Sequence, residues 1–297
     1  MIKIESLNNS SGKILYGEDC QDILSFPLEK AKDMFKSFGL LIFRGFGVTL
    51  ESMKALAGQL SSKFIRDSNR PIIDSKGGFV GLVDQGMYAI GPHCESGTTP
   101  FRPDAVWFCC AVPAAQGGET LFWDGVRVWE QLSEELRQLF ISKKKIVFFN
   151  QYSAEEWKHF LGASASLDDA KQKLDSLEGI NYLIDDNQSI SIEYALPTVI
   201  KTKYGNQDAF AHSFMKSYSE TGQMDYLKTG AVKFEDGSLI PEAAIYEIKE
   251  VLDRLTEAIP LHVGDLVMVD NSRFLHGRQA FNDKQRQIFS LLSYLNF

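Results

Sequence analysis

Residues 265–270 read Asp265-Leu266-Val267-Met268-Val269-Asp270, and the run is followed by His276-Gly277-Arg278 and then Arg286. A short, continuous apolar run of this length suits a strand buried on both faces. Just before it, Pro241–Ala258 sets Ile245, Ile248, Leu252 and Leu255 at helical spacing. The spacing predicts strands over 262–270, 278–281 and 286–295. Earlier in the chain, Phe35–Phe46 reads as a helix end, a stop at Gly39 and a buried strand. Leu50–Phe64 and Asp124–Phe140 have helical periodicity, while Ala105–Ala111 and Lys145–Tyr152 are strand-like. Residues 153–188 turn polar and helix-forming, and 190–240 mix short strands such as Thr198–Lys203 with glycine-rich loops. Strands at both ends, with helical material between them, fit a mainly β fold with added helices. The expected architecture is a double-stranded β-helix (jelly roll, cupin-like) with a helical insertion. A parallel α/β sheet is disfavoured, because strands and helices do not alternate regularly. One domain over residues 1–297 is expected, with an insertion or lid at about 153–230.

Composition narrows the function classes. Of 297 residues, 44% are hydrophobic and 24% charged, enough apolar material for a sizeable core. The formal net charge of −8 argues against a nucleic-acid partner, although it leaves a local basic cleft open to a small anion. No apolar run approaches the ~18 residues of a membrane helix, and the first thirty residues lack a signal-peptide pattern. Cys20, Cys94, Cys109 and Cys110 match neither a zinc knuckle nor a disulfide scaffold, so a cytoplasmic location with free thiols is expected. The oligomeric state is not legible.

The chemistry-bearing residues are His93-Cys94-Glu95-Ser96 and the distant His276 and Arg286. On a strand, positions i and i+2 share a face, so His93 and Glu95 can reach one metal ion while Cys94 points away. His276 then supplies a third ligand. Two imidazoles and a carboxylate with open positions beside them form the facial arrangement of non-haem Fe(II) oxygenases. Arg286, sharing a strand face with Ile288 and Ser290, offers a planar fork for a carboxylate, and Thr120 lies in the turn Gly117-Gly118-Glu119-Thr120.

These stretches, together with Arg102-Pro103-Asp104, Pro113–Asp124 and Gly264–Asn271, resemble the taurine dioxygenase and clavaminate synthase-like family of Fe(II)/2-oxoglutarate oxygenases. The resemblance implies that His93, Glu95 and His276 hold iron and that Thr120 and Arg286 hold 2-oxoglutarate. It further implies that O₂ takes the last open position, and that decarboxylation to succinate and CO₂ accompanies removal of a hydrogen atom from the substrate. Taurine dioxygenases carry a sulfonate-binding Arg four residues after the 2-oxoglutarate Arg. Here that position is Ser290, so taurine is a poor candidate. Glu at the acid position matches the clavaminate synthase and amino-acid hydroxylase branch. The acid itself speaks against a halogenase. The expected activity is hydroxylation, desaturation or cyclisation of a small polar molecule, such as an amino acid or derivative in specialised metabolism. A cupin-like binding protein without redox activity and a zinc-dependent hydrolase or isomerase are the alternatives.

The other conspicuous residues have simpler expected roles. Cys94, Cys109 and Cys110 read as packing thiols. His159, His212 and His262 read as surface or core imidazoles, His212 being the one of the three with any prospect of meeting substrate. Lys143-Lys144-Lys145 reads as a solvated helix end. Arg278 reads as a residue supporting the site, Arg102 as either a loop anchor or a substrate contact, and Gln85–Tyr88 as a border of the substrate site.

Overall fold

The computed structural model describes residues 2–18, 21–66, 70–74, 78–83, 86–161, 164–216 and 231–297, the side chains of 159 and 160 excepted. Two sheets form its centre. The larger runs Lys3–Ser6, Lys13–Tyr16, Leu40–Arg44, Leu266–Asp270, Ala105–Val112, Gln287–Leu295 and Ser61–Ile65 in spatial order, with Gly81–Leu82 also on Gln287–Leu295. The smaller runs Glu257–Ile259, Thr120–Asp124, Phe274–Arg278 and Ile90–His93.

Alternation of side chains explains how these sheets stack. From Leu266–Asp270, Val267 and Val269 enter a core shared with Val106, Phe108, Phe122, Phe274 and Leu292, which come from both sheets. Leu266 and Met268 point the other way, with Trp107 and Cys109, onto Phe35, Met53 and Leu56 of the helices Leu28–Phe38 and Leu50–Leu60. The outer face of the smaller sheet, carrying Trp123 and Leu275, packs on Val128, Phe140, Ile245 and Ile248. Cys109 and Cys110 therefore point to opposite faces, both buried, and desolvation raises their thiols to about 11 and 12.

The strand order and shared core give the double-stranded β-helix expected from sequence, with local corrections. Leu50–Leu60 is helical, but Phe64 lies on the strand Ser61–Ile65. The expected helix over 124–140 is two, Gly125–Gln131 and Glu134–Lys143, because Ser133 caps a new helix with its side chain. The penultimate strand is Phe274–Arg278 rather than 278–281, and between 198 and 203 only Ile200–Lys201 is strand. Lys145–Tyr152 is the strand expected, yet it pairs with Ile190–Pro197 and Val232–Phe234 in a separate four-stranded sheet completed by Ile180–Ile184. Two helices, Ala154–Leu161 and Leu167–Asp175, accompany that sheet. The middle of the chain thus contributes strands as well as helices. Lys143 ends a helix and Lys145 begins a strand, with Lys144 between them at φ 60°.

Buried ion pairs lock the ends of the central strands. Arg273 grips Asp124 through two bonds of 2.9 Å, and Arg44 reaches Asp265 at 2.7 Å. Bidentate arginine–carboxylate pairs combine charge with fixed geometry, which suits strand ends that must hold a register.

Candidate metal centre

Strand register brings the first two site residues together. Ile90–His93 and Phe274–Arg278 are antiparallel neighbours, and His93 stands directly opposite His276. Their rings lie 4.4 Å apart between centroids, as expected of a cross-strand pair. Gly277 permits this pairing: a Cβ there would sit 2.5 Å from the Ile90 carbonyl oxygen and 3.1 Å from the Trp123 ring.

Glu95 arrives differently from the sequence expectation. The strand ends at His93, and Glu95 lies in the turn that follows, where Ser96 has φ 52°. Its backbone is held by the wholly buried Asn271. The Asn271 Oδ1 accepts from the Glu95 N–H at 2.9 Å, and its Nδ2 donates to the Glu95 carbonyl oxygen at 2.9 Å. Glu95 Oε1 lies 3.2 Å from His276 Nε2 and 4.0 Å from His93 Nε2, and one ligand atom from each residue falls within 4.8 Å of the others. This is the one such group of histidine, cysteine and acidic residues among those described.

The electrostatics favour metal-ready ligands. Burial, reinforced by repulsion from His276, pushes the His93 imidazole down to about 3, so the ring is neutral near pH 7. Its Nδ1 is 2.9 Å from the Gly91 carbonyl oxygen, which fits a proton on Nδ1 and a lone pair on Nε2. Burial alone would raise the Glu95 carboxyl, but the Arg70 guanidinium and both imidazoles outweigh it and hold the group well below the carboxylate range. The donor set is two imidazoles and one ionised carboxylate grouped around one point, and it fits Fe(II).

The centre opens into a cavity of about 760 Å³ that also reaches Thr120, Arg278, Arg286 and Ile288. Thr120 begins a strand of the smaller sheet and pairs with Arg278. Its Oγ1 is buried and makes no hydrogen bond. Arg286, 7% exposed, immediately precedes the last strand. Burial, with repulsion from Arg278 beside it, lowers its guanidinium to about 10. No described carboxylate lies within 4.0 Å of it. An unmatched hydroxyl and a buried cation lining one cavity fit one end of a dicarboxylate, the chemistry of 2-oxoglutarate.

The secondary expectations separate cleanly. Arg278 donates to the carbonyl oxygens of Gly86 and, at 2.8 Å, Tyr88, so it braces that segment. Of the segment expected to border the substrate site, Gln85 lies outside the described residues, and Gly86, Met87 and Tyr88 do not line the cavity. Arg102 is a loop anchor, bonded to the Asn271 carbonyl oxygen and, at 3.0 Å, to Cys94 Sγ. Cys94 is buried and desolvation raises its thiol to about 11. His212 is buried between Phe210 and Phe214 and is absent from the cavity lining. His262 is exposed, and the His159 side chain lies outside the described residues.

Arg70 is the residue that sequence reading missed. Its Nη2 bonds Glu95 Oε1, and its Nη1 donates to Ser290 Oγ at 2.8 Å. Nothing in the sequence on either side of Arg70 signals a site residue. Asn271 was legible only as part of the Gly264–Asn271 stretch.

Comparison with known proteins places these features in context. The sequence profile described as taurine catabolism dioxygenase TauD, TfdA family matches residues 4–292. A clavaminate synthase-like protein of Arabidopsis thaliana is 22% identical over 213 residues, which cover 67% of this chain and 63% of that relative's length. Among solved structures, AAD-2 in complex with Mn(II) and N-oxalylglycine superposes with TM-score 0.63 at 15% identity, covering 100% of this chain and 98% of that one. PvcB from Pseudomonas aeruginosa gives 0.62 at 15% identity over 99% and 91% of the two chains. A taurine dioxygenase from Burkholderia xenovorans gives 0.58 at 13% identity over 99% and 89%. At these identities the structural likeness speaks for the fold.

Proposed function

The chain belongs to the taurine catabolism dioxygenase TauD, TfdA family, and on that premise we propose that it is an Fe(II)- and 2-oxoglutarate-dependent oxygenase. Its substrate in this reading is a small polar molecule, such as an amino acid or a derivative in specialised metabolism, which it hydroxylates, desaturates or cyclises. The observation that carries the reading is one cavity reaching His93, Glu95, His276, Thr120 and Arg286 together.

In this reading His93, Glu95 and His276 hold the metal, and Arg286 with the Thr120 hydroxyl holds the distal carboxylate of 2-oxoglutarate. The bound pair supplies dioxygen activation coupled to oxidative decarboxylation. The protein's own contribution is placement. His93 presents a neutral Nε2, Glu95 stays ionised, and Asn271 fixes the turn that aims its carboxylate. Phe108, whose ring is 5.3 Å from that of His276, and Ile288 supply apolar walls that limit water at the reacting atoms.

An anaerobic titration tests the reading. Fe(II) and 2-oxoglutarate together should produce a weak visible charge-transfer band, absent with either alone. A binding protein or a zinc hydrolase gives no band.

A further inference from the structure

His93 and Glu95 are separated by a single residue, so the peptide units on either side of Cys94 decide how the two ligands face each other. On a strand the pleat would set that relation. Here the strand Ile90–His93 ends at the first ligand, and the backbone of Cys94 needs another hold.

Ser213 supplies that hold. Its Oγ accepts from the Cys94 N–H at 3.1 Å and donates to the Cys94 carbonyl oxygen at 3.2 Å. A hydroxyl has one proton to give and lone pairs to accept with, so a single Oγ serves both bonds. The first bond lies on the peptide joining His93 to Cys94, and the second on the peptide joining Cys94 to Glu95. One side chain thus holds both links between the two ligands. Asn271 takes the next residue, Glu95, by the same pair of backbone groups.

Ser213 is itself fixed before any metal arrives. Phe210, Ala211, Phe214 and Met215 around it are buried in the core against the outer face of the smaller sheet. The Phe210 N–H also bonds the Gly125 carbonyl oxygen at 2.8 Å. The turn that carries Glu95 leaves space for the hydroxyl, because a Cβ added at Gly97 would collide with Ser213 Oγ. Cys94 meets Ser213 through its backbone alone. Its thiol is engaged elsewhere, with Arg102 at 3.0 Å and with the carbonyl oxygens of Ala211 and Phe274 at 3.5 Å.

We propose that Ser213 is a positioning residue for the metal centre, setting the mutual orientation of His93 and Glu95 through the backbone of Cys94. This rests on the reading of His93, Glu95 and His276 as metal ligands. A turn free to change its dihedral angles must be ordered when the metal binds, and that ordering weakens binding. Ser213 does the ordering at the folding stage. It also joins the ligand pair to the cavity wall, since Ser213 and Phe214 both line the cavity.

Calorimetric titration with Mn(II), with the melting temperature of the metal-free protein measured alongside, tests the proposal without turnover. Ser213→Ala should weaken Mn(II) binding about ten- to a hundredfold, the range found for groups that orient metal ligands. Ser213→Thr keeps the hydroxyl and should restore most of the affinity. Cys94→Ala leaves the held backbone in place, so it should lower the melting temperature rather than the Mn(II) affinity. Gly97→Ala should weaken Mn(II) by displacing the hydroxyl. In the Ser213→Ala background it should add little, because the atom it displaces is gone. Should Ser213→Ala fail to fold, the contrast between Gly97→Ala and Cys94→Ala decides in its place. Wild-type Mn(II) affinity in Ser213→Ala overturns the proposal at any melting temperature, since Ser213 would then only support the fold. Equal losses of affinity in Ser213→Ala and Cys94→Ala also overturn it, because the thiol would then hold the turn. The wild-type titration separates the two failures. Stoichiometric Mn(II) with no effect at Ser213 sinks this inference alone, whereas no Mn(II) binding by the wild type sinks the metal reading.

Discussion

Asn271 holds Glu95 by its backbone, at the N–H and at the carbonyl oxygen, through two 2.9 Å bonds from one side-chain amide. A third bond, Nδ2 to the Pro103 carbonyl oxygen at 3.0 Å, ties the same amide to the next loop. A carboxylate carried on a turn has more freedom than one on a strand, and this clamp removes it. Asn271→Ala should therefore weaken metal binding by about ten- to a hundredfold, the usual cost of losing support behind a ligand. It should also cost about 2–4 kcal/mol of stability, because buried backbone groups lose their partners. Metal titration and chemical denaturation measure the two effects. A variant with wild-type affinity would show that the turn holds Glu95 unaided.

Replacing any one of His93, Glu95 and His276 by Ala should abolish stoichiometric iron binding, because two protein ligands remain around the ion. Full iron content and turnover in His276→Ala would sink the assignment of the three residues.

Arg286 is a buried cation with like charge nearby, so it should cost stability while serving binding. Arg286→Met should raise the apparent 2-oxoglutarate constant at least about a hundredfold, in line with the roughly 3–5 kcal/mol cost of breaking a buried charged pair. The same substitution should raise the melting temperature of the metal-free protein, since it removes a desolvated charge. A lowered melting temperature with 2-oxoglutarate binding intact would mean that Arg286 is structural.

His212 gives the fold an acid sensitivity distinct from the metal centre. It is wholly buried, its Nε2 lies 2.8 Å from the Thr198 carbonyl oxygen, and burial lowers it to about 4. The unfolded chain, at an ordinary value of about 6.5, binds this proton more readily than the folded one. Stability from His212 is thus full above about pH 6.5 and falls as pH drops towards 4, by roughly 3 kcal/mol in all. Denaturation between pH 7 and 4 in wild type and His212→Gln reads this directly. An unchanged pH slope in the variant would reject it. His93 adds a slope of the same sign, which bound metal should steepen, because metal held by a neutral imidazole is itself released as pH falls.

Residues 153–230 are proposed to move over the site; of these, 162, 163 and 217–230 lie outside the described residues. Trp157, Leu174 and Ile190 of this segment line the cavity, so a ligand there would touch it. Iron, 2-oxoglutarate and substrate together should slow proteolysis within the segment severalfold. Equal rates with and without ligands would make it scaffold.

The sequence by itself determined much of this protein, because its strongest signals are local in kind. Strand-length apolar runs such as Leu266–Asp270 must be buried on both faces, and the i, i+2 spacing of His93 and Glu95 with the distant His276 named a metal centre. Helix ends were less legible where a side-chain cap intervened, as Ser133 does by splitting the helix expected over 124–140. Other features depend on tertiary structure alone. The facing of His93 and His276 is a matter of register between strands far apart in the chain, which Gly277 permits by lacking a side chain. That Glu95 sits on a turn, and that Asn271 steadies it, follows from a loop contact without sequence periodicity. Arg70 is the clearest case. Ser290 stands where taurine dioxygenases carry an arginine, and folding brings Arg70, distant in sequence, onto Ser290 itself. Charge has no period to read along a chain, so its placement is decided only when the chain closes on itself.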